Sequence, residues 1–304
     1  MKNILYLCMA SGAIFFQSCL NNDYLDRLPL DQQIEETAFL SYENFQTYAW
    51  NFYAYLTAFA GPTSLESGPT STSVFDCYSD NGYYGSPNNE NPWVWQTVTV
   101  PSTTDEWDVP YSRIRAINIM LDHIDDSIMD ETDKKHWRSI GYFFKANEYY
   151  RLISFFGSAI WVESTLNDND ADILYAKKTP RVELAKKVLD MLTYAKENIK
   201  KEGDGVNTIN RDVVLALISR FGLFEGTWQK YHSISDGNIY LQACFDASAE
   251  LVTAHPTVHA NYDELFNSEE LAGKQGILLY KNFLTDGKGH NMTCLLYTSD
   301  AAAI

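Results

Sequence analysis

Four aromatic rings and several asparagines crowd one polar stretch of the chain, "SDNGYYGSPNNENPWVWQ" at residues 79–96. The rings belong to Tyr83, Tyr84, Trp93 and Trp95. The amides include those of Asn88, Asn89 and Asn91. Sugar rings have apolar CH faces that lie against aromatic planes, and their hydroxyls need groups that both donate and accept hydrogen bonds. These residue types predict a saccharide-binding loop, with the alternative that one or two of the rings anchor the loop to the core.

The other patterns that could carry chemistry are weak. With 40 Asp and Glu in the chain, spacing alone selects no carboxylate pair for glycoside hydrolysis. Asp168, Asp170 and Asp172 alternate like the start of a calcium loop, but the expected Gly and Glu are missing. His255 and His259 are separated by a proline, which disfavours a helical zinc site. We therefore expect no catalytic residue, no metal and no cofactor.

Composition and charge exclude further function classes. The net charge of the 304-residue chain is −17, so nucleic acid is not an expected partner. Hydrophobic residues make up 45%, which is typical of a folded globular chain. The five cysteines are scattered and give neither a disulfide framework nor a metal spacing.

The N-terminus has the pattern of a secreted, lipidated protein. One lysine precedes a mostly apolar run at residues 4–16, which matches a secretory signal and is too short to span a bilayer. Ser18 directly before Cys19 resembles a bacterial lipobox. We predict that residues 1–18 are a lipoprotein signal peptide, that Cys19 is the lipid anchor to the membrane, and that residues 19–40 form a tether. The alternative is an ordinary signal peptide that happens to contain a cysteine.

Most of the remaining chain shows helical periodicity. The predicted helices are 41–56, 111–125, 134–157, 179–202, 211–228 and 239–255, with a long loop region at 61–108 and a strand at 276–283. Ser41 and Asn210 are predicted N-caps, and Gly157 a C-cap. The predicted fold is mainly α, built from tetratricopeptide-like antiparallel helix pairs with long loops and little strand. Predicted core or packing residues are Trp50, Trp137, Phe144, Leu152, Leu217, Phe221 and Trp228.

The order of these segments resembles the SusD/RagB family of outer-membrane nutrient-uptake lipoproteins. "SCLNNDYLDRLP" at 18–29 is similar to the start of that family, a lipidated cysteine followed by an acidic and aromatic tether. "WDVPYSRIRAINIML" at 107–121 and "GYFFKANEYYRLISFFGSAIWV" at 141–162 resemble two of its helical segments. No single motif is specific, and the resemblance rests on their order over roughly residues 16–285.

The resemblance implies a function and a fold. Members form an α superhelix, are non-catalytic, bind glycans or other nutrients at the surface of Gram-negative bacteria, and close on a TonB-dependent transporter of SusC type. It places ligand contact on exposed loop aromatics and gives Trp107 a packing role. Because family chains are considerably longer, we expect residues 41–291 to be an incomplete SusD-like helical domain. Residues 292–304 resemble translated sequencing adaptor, and we expect a non-native tail there.

Two other function classes stay open at this point. One is a helical-repeat scaffold that binds only proteins, and the other is a secreted carbohydrate-active enzyme. A scaffold has no need for four rings interleaved with Gly and Asn, and no pattern nominates a catalytic carboxylate.

The lipid anchor is directly testable. Metabolic labelling with a tagged fatty acid is expected to mark the wild-type protein but not Cys19→Ser, because the thiol is the proposed attachment point. Cys244→Ser serves as the control and should label like the wild type. Equal labelling of wild type and Cys19→Ser would contradict the anchor.

Overall fold

Helices account for almost all regular structure in the computed structural model, which describes residues 38–56, 102–268 and 270–282. The helices are α1 Tyr42–Ala49, a 3-10 turn Trp50–Tyr55, α2 Asp105–Asp122, α3 Glu131–Phe156, α4 Ala171–Leu174, α5 Arg181–Asn198, α6 Arg211–Tyr231, α7 Asn238–Ala254 and α8 Tyr262–Phe266. Over these ranges the β-structure is a single antiparallel bridge, Ala159 to Thr179. The predicted mainly α fold is confirmed.

Each long helix packs against the next one along the chain. α2 packs on α3, α3 on α5, α5 on α6, and α6 on α7. The connections between α5, α6 and α7 are short, so these neighbours run in opposite directions, as expected of helix pairs. Within the described ranges, no helix is long and apolar enough to cross a membrane.

Capping residues begin and end the helices close to the predicted positions. Asn210 accepts a hydrogen bond from Val213 N at 3.0 Å, and Gly157 ends α3 with φ 72°. The helix predicted at 179–202 is shorter at both ends, because α5 begins at Arg181 after Pro180 and ends at Asn198. The helix predicted at 239–255 is displaced by one residue, because α7 begins at Asn238 after Gly237 and ends at Ala254.

The core is built mostly from aromatic and branched aliphatic side chains on α1, α2, α3, α5 and α6. Phe144, Leu152 and Phe221 are fully buried, as predicted. Leu217 is only partly buried, contrary to the prediction. The buried face of α6 is centred on Ile218 and Phe221, and Leu217 lies at the border of that face.

The strand predicted at 276–283 is not formed over 276–282, the part that the structure describes. Tyr280 N donates to Asn207 Oδ1 at 3.0 Å, and Asn207 Nδ2 donates to the carbonyl of Tyr280 at 2.8 Å. A side-chain amide thus takes the place that a neighbouring strand would occupy. A short apolar run indicates an extended segment but does not supply its pairing partner.

Glycines allow α6 and α7 to approach closely. A Cβ at Gly222 would lie 2.6 Å from the carbonyl oxygen of Tyr240, and one at Gly226 would lie 2.7 Å from Leu241 Cγ. Backbone cannot yield as a flexible side chain can, so position 222 requires a residue without a Cβ.

Gly222→Ala is therefore expected to lower the free energy of unfolding by about 1–3 kcal/mol, because the new methyl group overpacks the α6–α7 contact. Leu223→Ala on the exposed face of α6 is the matched control and should change stability by less than about 0.5 kcal/mol. Chemical denaturation measures both, and equal midpoints for Gly222→Ala and wild type would refute the close contact.

A partly buried polar cluster joins α1 to the loop after α5. Asp204 accepts hydrogen bonds from the Tyr42 hydroxyl and from Gln46 Nε2. Lys200 Nζ donates to the Tyr42 hydroxyl at 3.1 Å, and its backbone N–H donates to Nδ1 of the buried His136 at 3.2 Å. Burial, and then the Lys200 ammonium, lower the pKa of His136 to about 4 from its usual 6.5.

This histidine should make stability depend on pH. Between pH 6.5 and 4 the unfolded chain binds a proton at His136 that the folded chain does not, so stability falls as the pH falls. The loss from this residue is expected to approach about 3 kcal/mol. His136→Asn, which keeps an acceptor for Lys200 N, should flatten that part of the curve, with His232→Asn on the surface as control. Parallel curves for His136→Asn and wild type would exclude the effect.

Candidate functional site

The aromatic loop and the lipid anchor lie outside the described residues. This applies to Tyr83, Tyr84, Asn88, Asn91, Trp93, Trp95 and Cys19. Their assignments remain predictions.

The side chains of the weak metal patterns bond neighbouring protein groups. Asp170 Oδ2 accepts from Asn167 N at 2.7 Å, which closes a turn before α4. His255 Nε2 lies 2.7 Å from Asp212, whereas His259 Nε2 lies 3.4 Å from Glu264. Across the described ranges, no three His, Cys, Asp or Glu side chains are grouped as metal ligands.

The described residues form a cleft of about 1030 Å³ between the 3-10 turn, α3, α6 and the segment at 279–282. Its lining includes Trp50, Tyr53, Asn147, Arg151, Phe155 and Arg220. We call it the arginine cleft. A concave site of this volume that mixes aromatic and polar groups is of the size and kind that binds small ligands.

Helical spacing places the polar residues of the cleft on one wall. Asn147, Arg151 and Ser154 lie at positions i, i+4 and i+7 of α3, on the face left open by its neighbours. Arg220 and Phe224 are likewise four residues apart on α6. The same two helices bury Phe144 and Phe221. Their rings pack against the cleft residues Tyr53 and Tyr150, with centroids 5.5 and 5.3 Å apart, so the wall rests directly on the core.

The aromatic residues of the cleft divide into anchored and exposed rings. The Tyr150 ring packs against Phe224 with centroids 5.3 Å apart, and the Tyr53 hydroxyl accepts from Ile209 N at 2.8 Å. Burial raises the pKa of Tyr53 to about 12, so this hydroxyl stays neutral at physiological pH. By contrast, Trp50 is 60% exposed and Phe155 is 42% exposed. These two rings are free to contact a ligand.

The cleft is positively charged although the chain as a whole is acidic. Among the described residues, its lining contains Arg151, Arg220 and Lys281 but no Asp or Glu. In the described part of the chain, no carboxylate lies within 4.0 Å of either guanidinium group, and Arg220 hydrogen-bonds the Tyr150 hydroxyl. The cleft therefore offers the guanidinium groups of Arg151 and Arg220 to a ligand.

One buried carboxylate lies behind the cleft wall. Glu148 pairs with Arg113 at 3.4 Å and is fully buried. Burial raises its pKa, and the charges of Arg113 and Arg151 partly oppose that effect. Because Glu148 is shared with Arg113, it does not fully neutralise Arg151.

Sequence reasoning missed this cleft. Trp50 was expected to pack inside but is largely exposed, and Trp228 is also 37% exposed, although Trp137 is buried and Trp107 packs on Phe156 as expected. The available signal was a pair of arginines, Arg151 and Arg220, within the aromatic-rich second halves of two predicted helices of an acidic chain.

Comparison with known proteins identifies a family. A SusD-like family model described as "Starch-binding associating with outer membrane" matches residues 23–223, well over half of the 304 residues. A search of the curated proteins gave no significant match.

Solved structures share the fold at low sequence identity. A SusD-like carbohydrate binding protein from Bacteroides fragilis is 19% identical with a TM-score of 0.57, over 75% of this chain and 44% of that one. Surface glycan-binding protein A from Bacteroides fluxus is 14% identical with a TM-score of 0.62, over 82% and 52%. A laminarin binding SusD-like protein is 14% identical with a TM-score of 0.56, over 74% and 47%. The chain spans about half the length of these proteins.

Proposed function

We propose, because this chain belongs to the SusD-like family, that it is a non-catalytic glycan-binding protein of the bacterial cell surface. The observation that carries this proposal is the family match over residues 23–223. The solved relatives support it, since one binds laminarin and another is a surface glycan-binding protein by description.

The proposed binding residues fall in two places. The first is the aromatic loop, where Tyr83, Tyr84, Trp93 and Trp95 would contact sugar faces while Asn88 and Asn91 bond their hydroxyls. The second is the arginine cleft, which offers exposed rings beside amide and guanidinium donors.

The proposed location and partner follow from the same family. Cys19 would carry lipid and hold the protein in the outer membrane, with residues 19–40 as the tether. The protein would capture oligosaccharide or polysaccharide and pass it to a TonB-dependent transporter of SusC type. Copurification of such a transporter with a tagged chain from the native membrane would support the partnership, and its absence from that complex would count against it.

The two tryptophans of the loop give the sharpest test of glycan binding. They flank one residue, Val94, so in an extended segment both rings would lie on one face as a platform. Trp93→Ala and Trp95→Ala are expected to weaken binding about 5- to 30-fold, the lower part of the range known for bases stacked on aromatic side chains. Calorimetry against a panel of plant and host polysaccharides measures this.

Tyr231→Ala is the matched control, because this ring is 78% exposed and lies outside both the loop and the cleft. It should bind like the parent protein. If a glycan binds and neither tryptophan substitution weakens it, the two rings are structural and the loop is not the site.

A further inference from the structure

We infer that the arginine cleft takes a saccharide that carries carboxylate groups, such as a uronate-containing oligosaccharide. The inference rests on the proposed glycan-binding function and adds the chemical class of the ligand at this cleft. Its basis is the convergence of two guanidinium groups, exposed rings and an amide in one concavity, whose lining holds no carboxylate in the part of the chain that the structure describes.

The charge of the cleft is the first argument. The chain carries 40 Asp and Glu against 23 Lys and Arg. The described lining of the cleft holds Arg151 and Arg220 and no acid, so it departs from the composition of the chain as a whole. An acidic saccharide is repelled by the overall charge of −17 and gains attraction only where cations cluster. Binding of a neutral saccharide would not require a cationic lining.

The second argument is that Arg151 and Arg220 form no ion pair with a carboxylate in the described part of the chain. Elsewhere on the same helices arginine does pair with acid, since Arg211 at the start of α6 forms an ion pair with Glu250. The Arg181 guanidinium lies 2.8 Å from the buried Glu225. In the described part of the chain, no carboxylate lies within 4.0 Å of the Arg151 or Arg220 guanidinium group. Both groups line the open cleft, where a ligand can reach them.

The residue types match an acidic sugar in detail. A guanidinium group presents parallel N–H donors that fit the two oxygens of a carboxylate, and the bond is stronger because both partners are charged. The exposed rings of Trp50 and Phe155 offer planes for the CH faces of the sugar. Asn147, one turn before Arg151 on α3, supplies an amide for ring hydroxyls.

The test compares charged and uncharged forms of one saccharide. Calorimetry of the full chain would use galacturonate oligosaccharides, their methyl esters and oligosialic acid, with dextran sulphate as a general polyanion. The acids are expected to bind and the methyl esters to bind at least about tenfold more weakly, because esterification removes the charge-assisted bonds. Affinity for the acids should fall as NaCl is raised.

Variants locate the site. Arg151→Gln and Arg220→Gln should each weaken binding of the acids by about tenfold or more. Arg211→Gln, which removes a guanidinium from α6 outside the cleft, should bind like the parent. If Arg151→Gln does not fold, Arg151→Lys replaces it and should keep part of the affinity, since it retains the charge but loses the forked geometry.

The outcomes separate the two proposals. Binding of neutral glycans alone, or acid binding that survives both arginine substitutions, would overturn the acidic-ligand inference and leave the proposed function standing. Equal binding of dextran sulphate would also overturn it, because attraction would then be non-specific. If no saccharide of either kind binds, the proposed function fails together with the inference.

Discussion

The burial of α3 between its neighbours is the constraint on which the rest of the structure depends. α3 packs against α1, α2, α5 and α6, and it buries residues along most of its 26-residue length. A helix covered in this way must be apolar around most of its circumference, or must supply a partner for each polar group that it buries. Both solutions are present in α3, and the second one determines how neighbouring segments are placed.

Lys145 shows how a buried charge organises its surroundings. Its ammonium group donates to the carbonyl of Glu163 at 2.8 Å and lies 5.0 Å from the Trp161 ring centroid. Burial lowers the pKa of Lys145 to about 8. The segment it contacts is held by tyrosine hydroxyls as well, because Tyr111 accepts from Ile160 N at 2.7 Å and Tyr149 accepts from Val162 N at 2.8 Å. Side chains of α2 and α3 thus bond the backbone polar groups of this segment, which pairs with the rest of the described chain only through the Ala159–Thr179 bridge.

Helix positions and caps could be predicted from the sequence because they depend on local signals. Asn210 and Gly157 act within one turn of their own helix. The helical spacing of apolar residues such as Phe144 and Phe221 indicates which face of each helix is buried. The mainly α fold follows from the same periodicity.

The cleft could not be predicted in the same way, because it depends on which surfaces the neighbouring elements leave uncovered. Trp50 lies within a predicted helix, where a large aromatic side chain is expected to pack, but at the 3-10 turn its ring stays exposed. The strand expected after residue 276 failed for a related reason, since Asn207 from a distant loop supplies its hydrogen bonds. Such contacts join residues far apart in sequence, where periodicity carries no information.

The packing of each helix on its neighbour in sequence also has a consequence for how the chain folds. Contacts between α5, α6 and α7 close short loops, which costs little chain entropy, so this part of the core can form early. The contacts of α1 and of the 3-10 turn differ. Tyr42 of α1 bonds Asp204, and Tyr53 of the turn bonds Ile209, each across more than 150 residues. Docking of these two elements closes far longer loops and costs more chain entropy, so we expect it to follow the local pairing of helices rather than to belong to a local folding nucleus.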